Sequence, residues 1–138
     1  MAGTTPAGVT YTDVGDVWTK TANGITSTYQ YDDFRNLTGI SQPSGGNLAT
    51  FSYDSDGKRI SKLTASVHTL YLYDKEGRLL SEYDANGNPT CDYIYLGKNL
   101  VGKMYTPSSS GVYYSHADPS GTPLAVTNTS GTVVWKGY

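Results

Sequence analysis

The chain has 138 residues, enough for one domain of ordinary size or for one stretch of a repeat array. Apolar residues make up 37% and charged residues 16%, while 16 Gly and 13 Tyr stand out; this excludes disorder driven by charge and favours many short strands joined by tight turns. A net charge of −2 without a basic run excludes an obvious nucleic-acid surface, no apolar run is long enough for a membrane span, and Met1 to Gly8 has neither the basic nor the apolar part of a signal peptide.

Residues 1–8 read as a flexible N-terminal segment, and 9–138 as one β-sheet domain of five to six repeats. The first unit is Tyr11-Thr12-Asp13-Val14-Gly15-Asp16-Val17, a degraded form of the later units. Asn23-Gly24 marks a tight turn. Tyr29-Gln30-Tyr31-Asp32-Asp33-Phe34-Arg35-Asn36-Leu37 opens the second unit, and Pro43-Ser44-Gly45-Gly46 is a looser connector. Phe51-Ser52-Tyr53-Asp54-Ser55-Asp56-Gly57-Lys58-Arg59-Ile60 and Tyr71-Leu72-Tyr73-Asp74-Lys75-Glu76-Gly77-Arg78-Leu79 carry the pattern in full. Tyr83-Asp84-Ala85-Asn86-Gly87-Asn88 and Tyr93-Ile94-Tyr95-Leu96-Gly97-Lys98-Asn99-Leu100 continue it. Further turns are expected near 66–67, at 106–111, at Asp118–Gly121 and at 128–131.

The register is regular. Tyr11, Tyr31, Tyr53, Tyr73 and Tyr95 are separated by 20, 22, 20 and 22 residues. Such a period fits two strands of about 5–6 residues and two turns, and is too short for helical repeats. In Tyr-x-Tyr-Asp the two rings share one strand face. The aspartate accepts bonds from backbone N–H groups two or three residues on, and the glycine of Asp-x-x-Gly closes a type I turn with a bulge. The fold class is therefore all-β: a repetitive antiparallel meander of β-hairpins forming a curved or spiral strip, with no helix. One face carries the tyrosines with Leu79, Leu100, Val101, Val126 and Trp135. In a piece of this size that face has to fold on itself, pair with another copy through an edge or a face, or face water.

Tyr73-Asp74-Lys75-Glu76-Gly77-Arg78-Leu79 resembles the tyrosine–aspartate (YD) repeat of the RHS family at every fixed position of Y-D-x-x-G-R-L. A second resemblance lies in Tyr113-Tyr114-Ser115-His116-Ala117-Asp118-Pro119-Ser120-Gly121-Thr122-Pro123, followed by Gly131-Thr132-Val133-Val134-Trp135. It is similar to the segment that leads into the family's core, and departs from it at Pro119 and Ser120, where the family tends to have His and Leu. The resemblance covers roughly Tyr11 to Tyr138. It implies a strip that winds into a hollow shell around a C-terminal toxin or effector domain, within a larger secreted or cell-surface bacterial protein. The expected partners are the rest of that shell and its effector domain, or another copy of the chain. The family's self-cleaving core lies beyond such a segment, so neither an autoprotease nor a toxin domain is expected among these residues.

Candidate chemistry is sparse. Cys91 cannot form an internal disulfide, and with His68 or His116 it lacks an acidic orienter, so packing is the better reading of the thiol. His116 is expected to bond at the neighbouring turn. Asp54-Ser55-Asp56-Gly57 hints at a calcium loop but lacks the distal acids. Asp32-Asp33 point apart, which disfavours paired-carboxylate hydrolysis. Arg35, Arg59 and Arg78 are expected to pair with turn acids such as Asp54 and Asp74. Asn36-Leu37-Thr38 and Asn128-Thr129-Ser130 are formal glycosylation sequons. No catalytic, cofactor or metal residue is expected, and the chain reads as non-enzymatic. The residues singled out are repeat markers that define the fold: Tyr31, Asp32, Tyr53, Asp54, Gly57, Arg59, Tyr73, Asp74, Gly77, Arg78, Leu79, Tyr83, Asp84, Gly87, Tyr95, Gly97, Asp118, Gly121 and Trp135. The competing reading is a carbohydrate- or receptor-binding β module that works through an exposed tyrosine face.

Overall fold

The structure, a computed structural model, describes residues 8–106 and 111–137. The expected flexible segment 1–8, apart from Gly8, and most of the 106–111 turn lie outside the described residues. The described residues form thirteen β-strands and no helix. They are β1 (Val9–Tyr11), β2 (Val17–Ala22), β3 (Ile25–Tyr31), β4 (Leu37–Gln42), β5 (Gly46–Tyr53), β6 (Arg59–Thr64), β7 (His68–Tyr73), β8 (Leu79–Tyr83), β9 (Pro89–Leu96), β10 (Asn99–Tyr105), β11 (Val112–Ala117), β12 (Pro123–Asn128) and β13 (Val133–Lys136). The chain divides into two compact units, Met1–Thr69 and Leu70–Tyr138, with the boundary inside β7.

In the first unit β1 to β6 lie side by side in chain order, antiparallel throughout. Side chains alternate between two faces. One face carries rings and aliphatics in register, with Tyr29 opposite Ile40, Ile40 opposite Ala49, and Phe51 opposite Lys62. The other carries hydroxyls: Thr10 faces Thr19, Thr19 faces Thr28, and Thr28 faces Ser41. These hydroxyls bond across strands, at 2.6 Å between Thr10 and Thr19 and 2.8 Å between Thr21 and Thr26. Asn23 (φ 50°) and Gly24 (φ 77°) form the two-residue turn between Ala22 and Ile25, where both central residues need positive φ.

In the second unit β7 to β13 follow the same rule. Its ring face is built from two cross-strand rows. One runs Tyr71, Glu82, Cys91, Tyr105, and the other Tyr93, Lys103, Tyr113. Ser115, Val126 and Trp135 extend it toward the last strand. The opposite face carries Leu72, Ser81, Asp92, Ile94 and Tyr114, so not every tyrosine lies on the expected face: Tyr114 follows Tyr113 directly and must point the other way. Val101 departs too, because it forms a bulge between Leu100 and Gly102.

Among the described residues neither unit is closed by pairing of its first and last strands, and strands in close contact are chain neighbours. Each unit is therefore one layer deep. The consequence is a near absence of core: among the described residues the buried apolar side chains are Ala49 and Cys91. The remaining stabilisation comes from ladder bonds, from half-buried cross-strand pairs, and from the turns.

Candidate functional site: the aspartate turns and the ring face

The turns are built by one device. Asp54 N–H donates to the Lys58 carbonyl at 2.9 Å, and Gly57 N–H donates back to the Asp54 carbonyl at 3.1 Å. The Asp54 carboxylate meanwhile accepts the N–H groups of Asp56 and Lys58, both at 2.9 Å. The side chain thus serves residues two and four positions on, not two or three as the sequence suggested, because the bulge carries the fifth residue back over the carboxylate. Asp32, Asp84 and Asp118 repeat the arrangement with Phe34 and Asn36, Asn86 and Asn88, and Ser120 and Thr122. Asp74 holds Arg78 N–H at 2.8 Å. Asn128 does the same work with an amide oxygen, and Thr12 with a hydroxyl toward Asp16. Gly57, Gly77, Gly87 and Gly121 all take positive φ at the closing position. Each turn ends a hairpin whose register slips by one residue at the position before the aspartate, as at Tyr31, Tyr53, Tyr73 and Tyr83.

At Asp16, Asp32, Asp74, Asp84 and Asp118 such bonds favour the charged carboxylate. The Arg35 guanidinium lowers Asp16 below the usual carboxylate range. Asp32 and Asp84 are lowered chiefly by the side-chain amides of Asn36 and Asn88, and Asp118 by the Ser120 hydroxyl. At Asp74 desolvation is the largest single influence and pushes the carboxyl up, yet the N–H and guanidinium of Arg78 together overcome it.

A second device ties neighbouring hairpins. Arg35 stands where the other turns have glycine, at φ 67°, and its guanidinium reaches Asp16 at 2.6 Å and the Val14 carbonyl at 3.1 Å. Its partner is therefore the acid of the preceding turn. Arg78 does pair with its own Asp74, at 2.6 Å, and also donates to the Gly97 carbonyl at 2.5 Å. The same guanidinium lies 5.4 Å from the centre of the Tyr95 ring, whose hydroxyl donates to the Leu79 carbonyl at 3.1 Å. Arg59 lies 5.4 Å from the centre of the Phe51 ring. Gly97 opens the two-residue turn between Leu96 and Asn99 at φ 61°.

The ring face of the second unit is the other candidate. Tyr93 donates its hydroxyl to Glu82 at 2.6 Å, and the Lys103 ammonium sits 4.7 Å from the centre of the Tyr93 ring. Desolvation, reinforced by Glu82, pushes the Tyr93 phenol far up. Cys91, only 2% exposed, lies between Glu82 and Tyr105, and its thiol is pushed up first by desolvation and then by Glu82. A raised thiol carries less of the thiolate that acts as nucleophile. Tyr105 and Tyr113 meet edge to face with centroids 5.8 Å apart. Beside them Trp135, half exposed, closes an open groove of about 440 Å³ with Lys103 and Val126.

His68 bonds the Ser61 hydroxyl, and His116 bonds Thr127 across the β11–β12 ladder at 2.9 Å. His116 therefore acts between strands and not at the Asp118 turn where it was expected. Among the described residues no group of His, Cys, Asp and Glu has the arrangement of a metal site, and no helix is long and apolar enough to cross a membrane.

Fold and turns together define an all-β repeat protein made of hairpins punctuated by aspartate. Residues 11–47 match the family model of the RHS repeat. No curated protein matches the chain. Among solved structures, that of TcdB2-TccC3-Cdc42 is similar at 19% identity, with a TM-score of 0.50 over 87% of this chain and 7% of that one. The structures of TcdB2-TccC3-TEV and of TcdB2-TccC3 without its hypervariable C-terminal region have TM-scores of 0.40 and 0.41, each at 19% identity, covering 93% and 94% of this chain. At such identity the likeness to the first is one of fold. This chain spans 7% to 9% of the chains it resembles.

Proposed function

We propose that the chain is a non-enzymatic wall segment of an RHS-type shell, belonging to a larger secreted or cell-surface bacterial protein. Its ring face lines the enclosed side and leans on an effector domain held within. The repeat markers from Tyr31 to Trp135 serve this role by fixing hairpin register. The observation that carries the reading is the single layer: with Ala49 and Cys91 as the buried apolar side chains among the described residues, the ring-bearing face needs a covering that neither unit supplies for itself.

The test is limited proteolysis of the protein expressed from its complete reading frame. A flanking domain that resists trypsin, and becomes sensitive once the repeats are cut or denatured, is the expected result. A reading frame with no domain beyond the repeats overturns the proposal. So does a flanking domain digested as fast as the same domain made alone.

A further inference from the structure

The groove on the ring face of the second unit adjoins a second hollow that shares Lys103, Tyr113, Val126 and Trp135, and the two carry the Ser115 and tyrosine hydroxyls besides a single charge. Tyr105, Tyr113, Pro123, Val126 and Trp135 supply rings and aliphatic surface, and Lys103 supplies the single charge among the lining residues. Among the described residues no carboxylate lies within 4 Å of that ammonium. The nearby acid Glu82 is engaged by the Tyr93 hydroxyl, and the Tyr93 ring holds the Lys103 ammonium in place over its face. An oriented cation beside an apolar cup is complementary to a carboxylate attached to an apolar group.

We propose that this groove docks a polypeptide segment that carries an aromatic side chain next to an Asp or Glu. The ring enters the cup beside Trp135 and Tyr113, and the carboxylate pairs with Lys103. The proposal rests on the reading of the chain as a wall, which makes the occupant a polypeptide. A single such cup is an open site, with room for one side chain and its neighbour, so it selects local chemistry and not a folded surface.

The experiment uses the 138-residue chain with Trp18→Phe, which leaves Trp135 as the one indole of two. Trp135 emission is followed while N-acetyl-Phe-Asp-amide, N-acetyl-Phe-Asn-amide and cellotriose are titrated separately. The expected result is a saturable change with the Asp peptide, binding roughly fivefold weaker with the Asn peptide, and convergence of the two at high salt. Lys103→Met, which keeps the stem over Tyr93, should abolish the preference for Asp. Should that variant fail to fold, the Asp–Asn comparison on the parent decides alone. Equal binding of both peptides, a response to cellotriose in their place, or no saturable change with any of them overturns the proposal. Peptide binding without protease protection of a flanking domain would remove the wall and keep the groove; protection without peptide binding would do the reverse.

Discussion

Tyr95 donates its hydroxyl to the backbone carbonyl of Leu79 at 3.1 Å, and Tyr53 makes the same bond to Leu37 at 2.8 Å, in each case across 16 residues of chain. Leu37 and Leu79 are the first residues of β4 and β8, next to the bulge that ends each aspartate turn. The β8–β9 ladder starts at Ser81, so the Leu79 carbonyl has no strand partner on that side. The tyrosine supplies it, which gives the aromatic of one repeat a bond in the repeat before. Burial of the phenol raises the pKa of both tyrosines.

Replacing Tyr95 by Phe removes that donor and strands the carbonyl. The expected loss is about 1 kcal/mol in urea denaturation, with Tyr53→Phe alike. Tyr114→Phe, on the opposite face and half exposed, should leave the midpoint where it was. Equal behaviour of all three would show that the hydroxyls do not join repeats.

The closing position of the turn separates two backbone cases. Gly77 sits at φ 83°, so Gly77→Val should cost about 1 kcal/mol or more. Arg35 accepts the same conformation with a side chain and offsets it through Asp16 and the Val14 carbonyl. Arg35→Gly and Arg35→Ala both lose that clamp, but only Ala keeps the strain of a Cβ. The glycine variant should therefore melt above the alanine variant, and coincident melting curves would show that position 35 is unstrained.

Turn chemistry is local, and local chemistry could be read from the sequence: Asp54-Ser55-Asp56-Gly57 and Asp74-Lys75-Glu76-Gly77 each hold their own backbone bonds within five residues. What depends on strand neighbours could not. Arg35 looked like a partner for a nearby acid, yet it reaches a turn 19 residues back. The ring-to-carbonyl bonds need the order of strands, and so does the row that brings Glu82, Cys91 and Tyr105 together. One signal was present in the spacing. Tyr83 follows Tyr73 by 10 residues, half the period, so aspartate turns fall at both ends of β8.

Acid should loosen the turns in a defined order of sign. The folded pKa values of Asp16, Asp32, Asp84 and Asp118 are depressed, so their contribution is present above the unfolded carboxyl value of about 3.9 and is lost as pH falls through the folded values. Stability is expected to be flat near neutrality and to decline below about pH 4. Asn128 makes the same two backbone bonds with an uncharged oxygen. Asp84→Asn should therefore keep its turn and weaken the acid dependence, measured as urea midpoints from neutral to acid pH. An undiminished acid slope in that variant would place the titration elsewhere.

Cys91 reports on whether the single layer stays closed where its packing is tightest. The thiol is 2% exposed, flanked by Glu82 and Tyr105 on adjacent strands, and raised by desolvation above its ordinary value. Both burial and protonation slow alkylation, since the thiolate is the reactive form. Iodoacetamide should label native chain far more slowly than urea-unfolded chain, and the native rate should track global stability across denaturant. Tyr93→Phe takes the hydroxyl from Glu82, in the strand next to the thiol, and should raise the labelling rate while Tyr114→Phe does not. Labelling at the unfolded rate in native buffer would mean that β8, β9 and β10 open freely and that ring-face packing contributes little to the fold.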